Sequence, residues 1–410
     1  IDNSYNVSVT ATNQYGSKDF DNTFVINIVA FINPITQLQY ANQEKIQSVA
    51  FEFGPEEVDG DELTYSFIDL DSRLADKLNI DGVTGVISAK KGNSIETGTY
   101  TITVQAKNDK SEKTSTFTLT IAANPNYFTY IRYGNNLGLT PEENYADQFE
   151  YNKKKDFQAA TLSAKTDIPQ GRPVKWSIVA KNNPVGGGAT ISDTGEISFT
   201  SATWNSNYGC GVLFVTATVG DGEEAISKTI PLFLRFNNAQ KTVLVKYTPF
   251  AVKMNPSKGG TTPAPVVTVD GTVTTDYSLF LMDYRRDFYY YSFIEAHKDG
   301  KQSDSGSFMN ILWKAYWDAL GKSNNTGARA PMSYYDNTNL SLPLGYVNNK
   351  DLSVTINPGK WKDSEGVYAN GVFIGRMTFV TDGNKANLAP SPSSLESLTF
   401  PLAIWFDESF

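Results

Sequence analysis

One cysteine and one histidine are present in 410 residues. A single thiol, Cys210, can close no internal disulfide and cannot build a zinc site from thiolates. Set inside Gly209-Cys210-Gly211-Val212-Leu213-Phe214, it reads as a small buried hydrophobe. A Ser-His-Asp triad or Cys-His pair would have to use His297. That residue sits in Phe293-Ile294-Glu295-Ala296-His297-Lys298-Asp299-Gly300, a strand running out into a polar turn, so histidine-rich metal sites are excluded and a triad is not expected. Long apolar runs are missing as well: none approaches the roughly 18 residues that suggest a membrane-spanning helix. The first residues are strand-like and carry no signal peptide, so an export signal or lipid-anchored cysteine is expected upstream. Cations are in deficit, with 35 Lys and Arg against 44 Asp and Glu and a formal charge of −9. Nucleic-acid binders usually carry a basic field. Here the longest basic cluster, Lys153-Lys154-Lys155, runs straight into Asp156 and reads as a solvated turn.

Present instead are 40% hydrophobic and 19% charged residues, a globular composition, in a chain longer than one core normally serves. Three or four domains are expected. Internal repetition gives the most specific signal. Tyr5-Asn6-Val7-Ser8-Val9-Thr10-Ala11-Thr12-Asn13 recurs as Tyr100-Thr101-Ile102-Thr103-Val104-Gln105-Ala106-Lys107-Asn108. A polar turn and a second alternating run follow each, Thr23 to Ile28 and Thr116 to Ile121. Alternation of this kind predicts an antiparallel hairpin with one buried face. A third copy runs from Phe214 to Val219 and from Ile226 to Leu234 across Gly220-Asp221-Gly222. Two copies are preceded by a second motif: Leu63-Thr64-Tyr65-Ser66 then Ile80-Asp81-Gly82-Val83-Thr84-Gly85-Val86-Ile87-Ser88, and Val174-Lys175-Trp176-Ser177 then Ile191-Ser192-Asp193-Thr194-Gly195-Glu196-Ile197-Ser198. The Thr-Gly step supplies a tight turn in which glycine accepts positive φ, and the preceding aromatic faces the opposite sheet. Short strands at this spacing predict β-sandwiches.

These motifs resemble bacterial immunoglobulin-like and cadherin-like repeats, nearly throughout residues 60–122, more loosely over 126–236, and in the final hairpin alone over 1–30. The fold class expected is mainly β: tandem Ig-like sandwiches followed by a β-rich α+β C-terminal domain. The domains are residues 1–30 (last hairpin of an Ig-like domain), 31–123, 124–236 and 237–410. Within the last, Asn255 to Pro265 reads as a loop or linker, strands are expected at Val266–Val269, Phe288–Ala296, Leu352–Ile356, Val372–Val380 and Leu398–Phe406, and one helix from about Ser307 to Leu320.

On the helical wheel Phe308, Ile311, Leu312, Ala315, Tyr316 and Ala319 form one arc, which Trp313, Trp317 and Leu320 extend. A helix buried between two surfaces accounts for this; so does a tryptophan pair offered to a sugar, whose apolar face stacks on indole. Aromatics in polar loops are better platforms, and the candidates are Trp361, Tyr334, Tyr335 and Trp204, each beside Asn or Asp able to bind hydroxyls. Glycoside hydrolysis needs two carboxylates about 5–10 Å apart. The last domain has many, among them Asp283, Glu295, Asp318, Asp363 and Glu408, with no pair singled out, so no catalytic residue and no enzyme activity are expected. Asp59-Gly60-Asp61-Glu62 and Asp69-Leu70-Asp71 resemble cadherin calcium ligands in composition only. Solvated turns are the reading, no cofactor is expected, and calcium is the one metal left open.

The architecture as a whole is similar to the surface glycan-binding lipoproteins of Bacteroidetes polysaccharide-utilisation systems. That resemblance implies Ig-like modules as spacer and the C-terminal domain as binding unit. It also implies a polysaccharide or oligosaccharide ligand, outer-membrane transport proteins as possible partners, and a cell-surface location anchored through the N-terminus. The rival readings are an adhesive surface protein that binds another protein, and an accessory chain to a glycoside hydrolase.

Overall fold

The computed structural model describes residues 3–28, 31–140, 145–152, 161–181, 188–199, 209–237, 243–275, 277–282, 288–319, 344–348, 350–375, 377–381, 397–399 and 401–410. The fold is mainly β, in two compact units: residues 1–127 with 220–226, and residues 128–219 with 227–410.

The first unit opens on the antiparallel hairpin Asn3–Asn13 and Gly16–Ile28. Its register sets Tyr5 opposite Ile26, Val7 opposite Phe24 and Val9 opposite Phe20 on one apolar face, while Thr10–Asp19 and Thr12–Ser17 side-chain hydrogen bonds line the other. The apolar face stays open, with Phe20, Phe24 and Ile26 all between 44% and 49% exposed. Residues 31–123 form a sandwich. One sheet runs Gln43–Ile46, Glu112–Ala122, Gly98–Lys107, Thr64–Ile68; another runs Phe51–Phe53, Ile87–Ala89, Asn79–Ile80. Alternation decides the layers: Tyr100, Ile102, Val104 and Ala106 are buried, whereas Thr103 bonds Thr116 across the outer face.

The Thr-Gly turn does more than reverse the chain. Gly85 has φ +69°, and a Cβ there would come within 2.8 Å of the Tyr65 ring. Gly195 has φ +80°, and its Cβ would stand 2.8 Å from the Trp176 indole. In both turns a tyrosine hydroxyl from elsewhere donates to the glycine carbonyl, Tyr40 to Gly85 (2.6 Å) and Tyr133 to Gly195 (2.8 Å). The aromatic of the first motif therefore packs on the glycine of the second. Asp81 accepts from the amides of Val83 and Thr84, which holds its carboxyl below the usual range; Ser192 takes the same place in the second copy.

In the second unit the sandwich sheet runs Gln148–Asn152, Ile226–Asn237, Gly209–Val219, Val174–Lys181. The C-terminal part is built on a five-stranded sheet, in the order Ala251–Met254, Ala403–Phe406, Gly371–Gly375, Phe288–Ser292, Gly300–Lys301. The helix Phe308–Ala319 packs on it through Phe308 against Tyr290 and Trp313 against Phe288. Ser307 Oγ accepts from the Asn310 amide and so caps its start. The strand expected over Phe288–Ala296 stops at Ser292, whose hydroxyl accepts from the Ile294 amide and turns the chain.

One continuous core includes Cys210, Val212 and Phe233 of the sandwich together with Phe250, Val372 and Ile404 of the last domain. Burial pushes the Cys210 thiol up to about 12, as befits an inert core residue. A polar clamp crosses this junction. Gln148, wholly buried, donates to the carbonyls of Ala146 and Ala251 and accepts from the amides of Phe250 and Ala251. Arg235, also wholly buried, pairs with Glu150, donates to the Tyr247 carbonyl (2.8 Å) and lies 4.4 Å over the Phe250 ring. Burial alone would raise the Glu150 carboxyl, but Arg235 and Lys246 outweigh it and hold the group below its ordinary value.

Packing of the turn glycines on aromatics has a direct consequence. Gly85→Ala or Gly195→Ala should cost about 2 kcal/mol or more, since backbone strain adds to ring displacement. Gly92→Ala, at φ +78° with open space around it, should cost only the strain, about 1–2 kcal/mol. Denaturant melts of the three variants check the difference; equal losses would separate the turn from its aromatic.

Candidate ligand-binding cleft

The aromatic platforms expected from sequence are not surface platforms where the structure describes them. Trp361 is wholly buried: its ring lies 4.5 Å from Phe406 and edge-on to Phe373, and Nε1 donates to the Leu344 carbonyl at 3.0 Å. The reason is local. Asp363 accepts from the amides of Glu365 and Val367, and Ala369 N donates to Trp361 O, so a tight turn spends the polar residues and rotates the indole into the core. Trp313 (5% exposed) and Trp317 (1%) are buried too, on the sheet-facing side of the helix, and cannot stack on a sugar as placed. Tyr334, Tyr335 and Trp204 lie outside the described residues.

His297 is a core residue, stacked on Phe308 at 3.8 Å, with Nε2 3.3 Å from Asp363 Oδ2 but without hydrogen-bond geometry. Burial lowers its pKa below the ordinary value although Asp363 opposes the shift. Among the described residues no three His, Cys, Asp or Glu side chains gather as a metal cage. Of the acids singled out, Asp61 accepts from the Asn33 amide and side chain, Asp59 from Thr36, and Asp71 pairs with Arg73.

A cleft of about 990 Å³ lies instead within the second unit. Arg132, Leu139 and Tyr145 of the sandwich form one wall. The strand Ala251–Met254 and the chain after it form the other, down to Phe410. The stretch read as a linker is thus an ordered wall. Asn255, buried, accepts from the Ser257 and Lys258 amides and donates to the Glu408 carbonyl; Gly259, at φ +68°, runs so close to Ile356 O that a Cβ would lie 2.4 Å away. Ala251–Met254 ends its sheet, and Val252 bridges to Tyr145.

Arg132 is held by Asp147, 3.0 Å from its Nε, with the guanidinium 5.7 Å over the Tyr145 ring. Lys253, across from Trp405 in the sheet, places Nζ 5.2 Å from that ring and 4.8 Å from Phe410. Lys258 Nζ donates to Phe410 O. The described lining has three cations and no Asp or Glu side chain. Tyr145 itself is 5% exposed, and its hydroxyl finds no hydrogen-bond partner among the described residues. The residue lines the cleft, but its hydroxyl is sealed from solvent and is not offered to a ligand. Arg132, Tyr145, Lys253 and Lys258 carried no repeat or motif. The one usable trace was Trp405 in Ala403-Ile404-Trp405-Phe406, where alternation puts an indole on the face opposite Ile404 and Phe406.

The architecture is one of tandem Ig-like domains with a cleft whose described lining is cationic and aromatic-edged. Residues 33–121, 132–235 and 243–406 match the family models of the fourth, fifth and sixth Ig-like domains of BT4661, and these three stretches of the chain belong to those Ig-like domain families. The domain expected as a β-rich α+β unit falls in this series as an Ig-like domain that carries a helix. The solved structure of BT4661 is described as a SusE-like surface located polysaccharide binding protein from the Bacteroides thetaiotaomicron heparin utilisation locus. It is 39% identical, with a TM-score of 0.75, over 95% of this chain and 64% of that one; the chain thus spans just under two thirds of that relative. Drosophila N-cadherin EC1-4 aligns over 90% of this chain and 74% of its own at 11% identity, but with a TM-score of 0.26, a likeness that carries no argument. No curated protein sequence matches.

Two measurements follow from the buried residues. Trp361→Ala should lower stability by about 3–5 kcal/mol through the cavity it leaves, read as an early melt. For His297 the sign is set by its lowered folded pKa: the folded state resists a proton that the unfolded chain accepts below about 6.5. Its contribution is complete above that pH and fades as pH falls toward the folded pKa. Melts between pH 7.5 and 5 should show a fall in Tm that His297→Phe flattens; an unchanged slope in the variant would place the loss elsewhere.

Proposed function

We propose that the chain is a non-catalytic cell-surface polysaccharide-binding protein whose cleft takes a segment of an acidic glycan, with the earlier Ig-like modules as spacer. The observation that carries this is the cleft's described lining, which sets Arg132, Lys253 and Lys258 together with no Asp or Glu side chain. Its similarity to a surface located polysaccharide binding protein of a heparin utilisation locus supports the same class of ligand. The binding unit is then the junction of the last two Ig-like domains rather than the loops of the last one alone. Anchoring at the outer membrane and contact with a transport protein belong to the same proposal by that likeness.

The chemistry is recognition alone. A guanidinium already oriented by Asp147 can offer its remaining N–H groups to a sulfate or carboxylate in fork geometry. The lysines add point charges, and the Phe410 ring offers an apolar face to a sugar ring. Rigid placement by sheet and turn limits the entropy lost on binding.

Calorimetry with a heparin octasaccharide tests the cleft. Lys253→Gln removes one of the lining cations, so affinity should fall about tenfold, some 1.4 kcal/mol. Arg132→Gln should lose more. Unchanged affinity in both variants would remove the cleft from the function.

A further inference from the structure

We propose a second acidic-glycan subsite on the 31–123 domain, in the cleft lined by Lys77, Lys90 and Lys91. It shares with the reading above the class of ligand and nothing of the location.

The cleft measures about 650 Å³ and lies wholly within the first unit. Strand pairing sets Asn79 opposite Ser88, and burial of Ile87 and Ala89 turns Ser88 and Lys90 outward. Past the strand the chain makes a turn that is fixed from below. Gly92, at φ +78°, donates its amide to Ser48 O, and Asn93 Nδ2 donates to the carbonyls of Val49 and Lys90. Lys90 and Lys91 are therefore exposed side chains on a rigid base. On the facing side, Lys77 belongs to the turn closed by Leu74 O, which accepts from the amides of Lys77 and Leu78. Its ammonium is held over the cleft by a 3.1 Å bond to Ser94 O.

Three lysines thus line the cleft from two fixed turns, with Lys91 Nζ 3.5 Å from Gly222 O, against one lining carboxylate, Asp76. Glu52 stands opposite Ser88 on the neighbouring strand. Like charges gathered around a concavity repel one another and raise a positive potential within it. Such a cluster is stabilised by an anion. The bias runs against the chain: among the described residues the two clefts are lined by six cations and one acid, in a protein with 44 acids to 35 bases. Asn79, Ser88 and Ser94 add neutral polar groups suited to hydroxyls. No aromatic ring lines this cleft, so charge and hydrogen bonds, rather than stacking, would select the ligand, and binding should weaken steeply with salt.

The test is calorimetric stoichiometry on the full chain with a heparin hexasaccharide, beside inorganic sulfate and a neutral dextran oligosaccharide. Wild type should bind two hexasaccharides and no dextran. The triple variant Lys77→Gln, Lys90→Gln, Lys91→Gln, whose melting should match wild type because these side chains lie at the surface, should bind one. Arg132→Gln with Lys253→Gln should also bind one, and all five changes together none. A triple variant with wild-type stoichiometry and affinity overturns the second subsite. Sulfate binding at the lysines without hexasaccharide binding there also overturns it, as a site for free anion only. Should the Arg132 and Lys253 changes leave binding untouched while the triple variant abolishes it, the lysine subsite stands and the reading of the larger cleft falls.

Discussion

A buried arginine governs the second unit. Arg235 has no contact with solvent, and an unpaired charge in such a place is among the more destabilising features a fold can carry, about 3–5 kcal/mol when one partner is removed. It is tolerable because Glu150, the Tyr247 carbonyl and the Phe250 ring all meet it. Those partners come from different sides of the domain junction: Glu150 beside Arg235 in the sandwich sheet, Tyr247 and Phe250 from the chain that leads into the last domain. Satisfying the charge therefore fixes the geometry of the junction. Gln148 repeats the device with a neutral group, spending its amide on four backbone partners, two of them on Ala251.

The cleft inherits that geometry. Arg132 and Tyr145 come from the sandwich side, Lys253 and Lys258 from the other, and the Tyr145–Val252 bridge sits between them. A ligand that contacts both walls meets groups already in place. Electrostatics then chooses what the ligand is. A net negative chain repels polyanions at long range, but a screening length of about 8 Å at physiological salt leaves local lining to decide contact. At that scale the described linings of both clefts carry more cations than acids.

The sandwiches were legible in the sequence because their rule is local. Period-two alternation in Tyr100-Thr101-Ile102-Thr103-Val104 assigns each side chain to a face whatever else the chain does, and Thr84-Gly85 and Thr194-Gly195 call for glycine because of their own φ. Recurrence at several places in the chain made the pattern unmistakable. Less was legible of the contact between Gly85 and Tyr65, for the two belong to separate motifs that meet only through the sheet. Trp361 shows where composition misleads: polar neighbours do not expose a residue when a turn consumes them and leaves the indole facing Phe373 and Phe406.

The sequence by itself determined the β class, the tandem repeats, the inert cysteine and the shortage of groups for metal or nucleophilic chemistry, since each depends on residue type and short-range order. Tertiary structure decided the rest. Arg132 and Lys253 are 121 positions apart and Lys77 and Lys90 belong to different turns, and no periodicity joins them. Their clefts exist because hydrogen-bonded partners elsewhere, Arg235 with Glu150 in one unit and Asn93 under its turn in the other, bring separate stretches of chain to one place and hold them there.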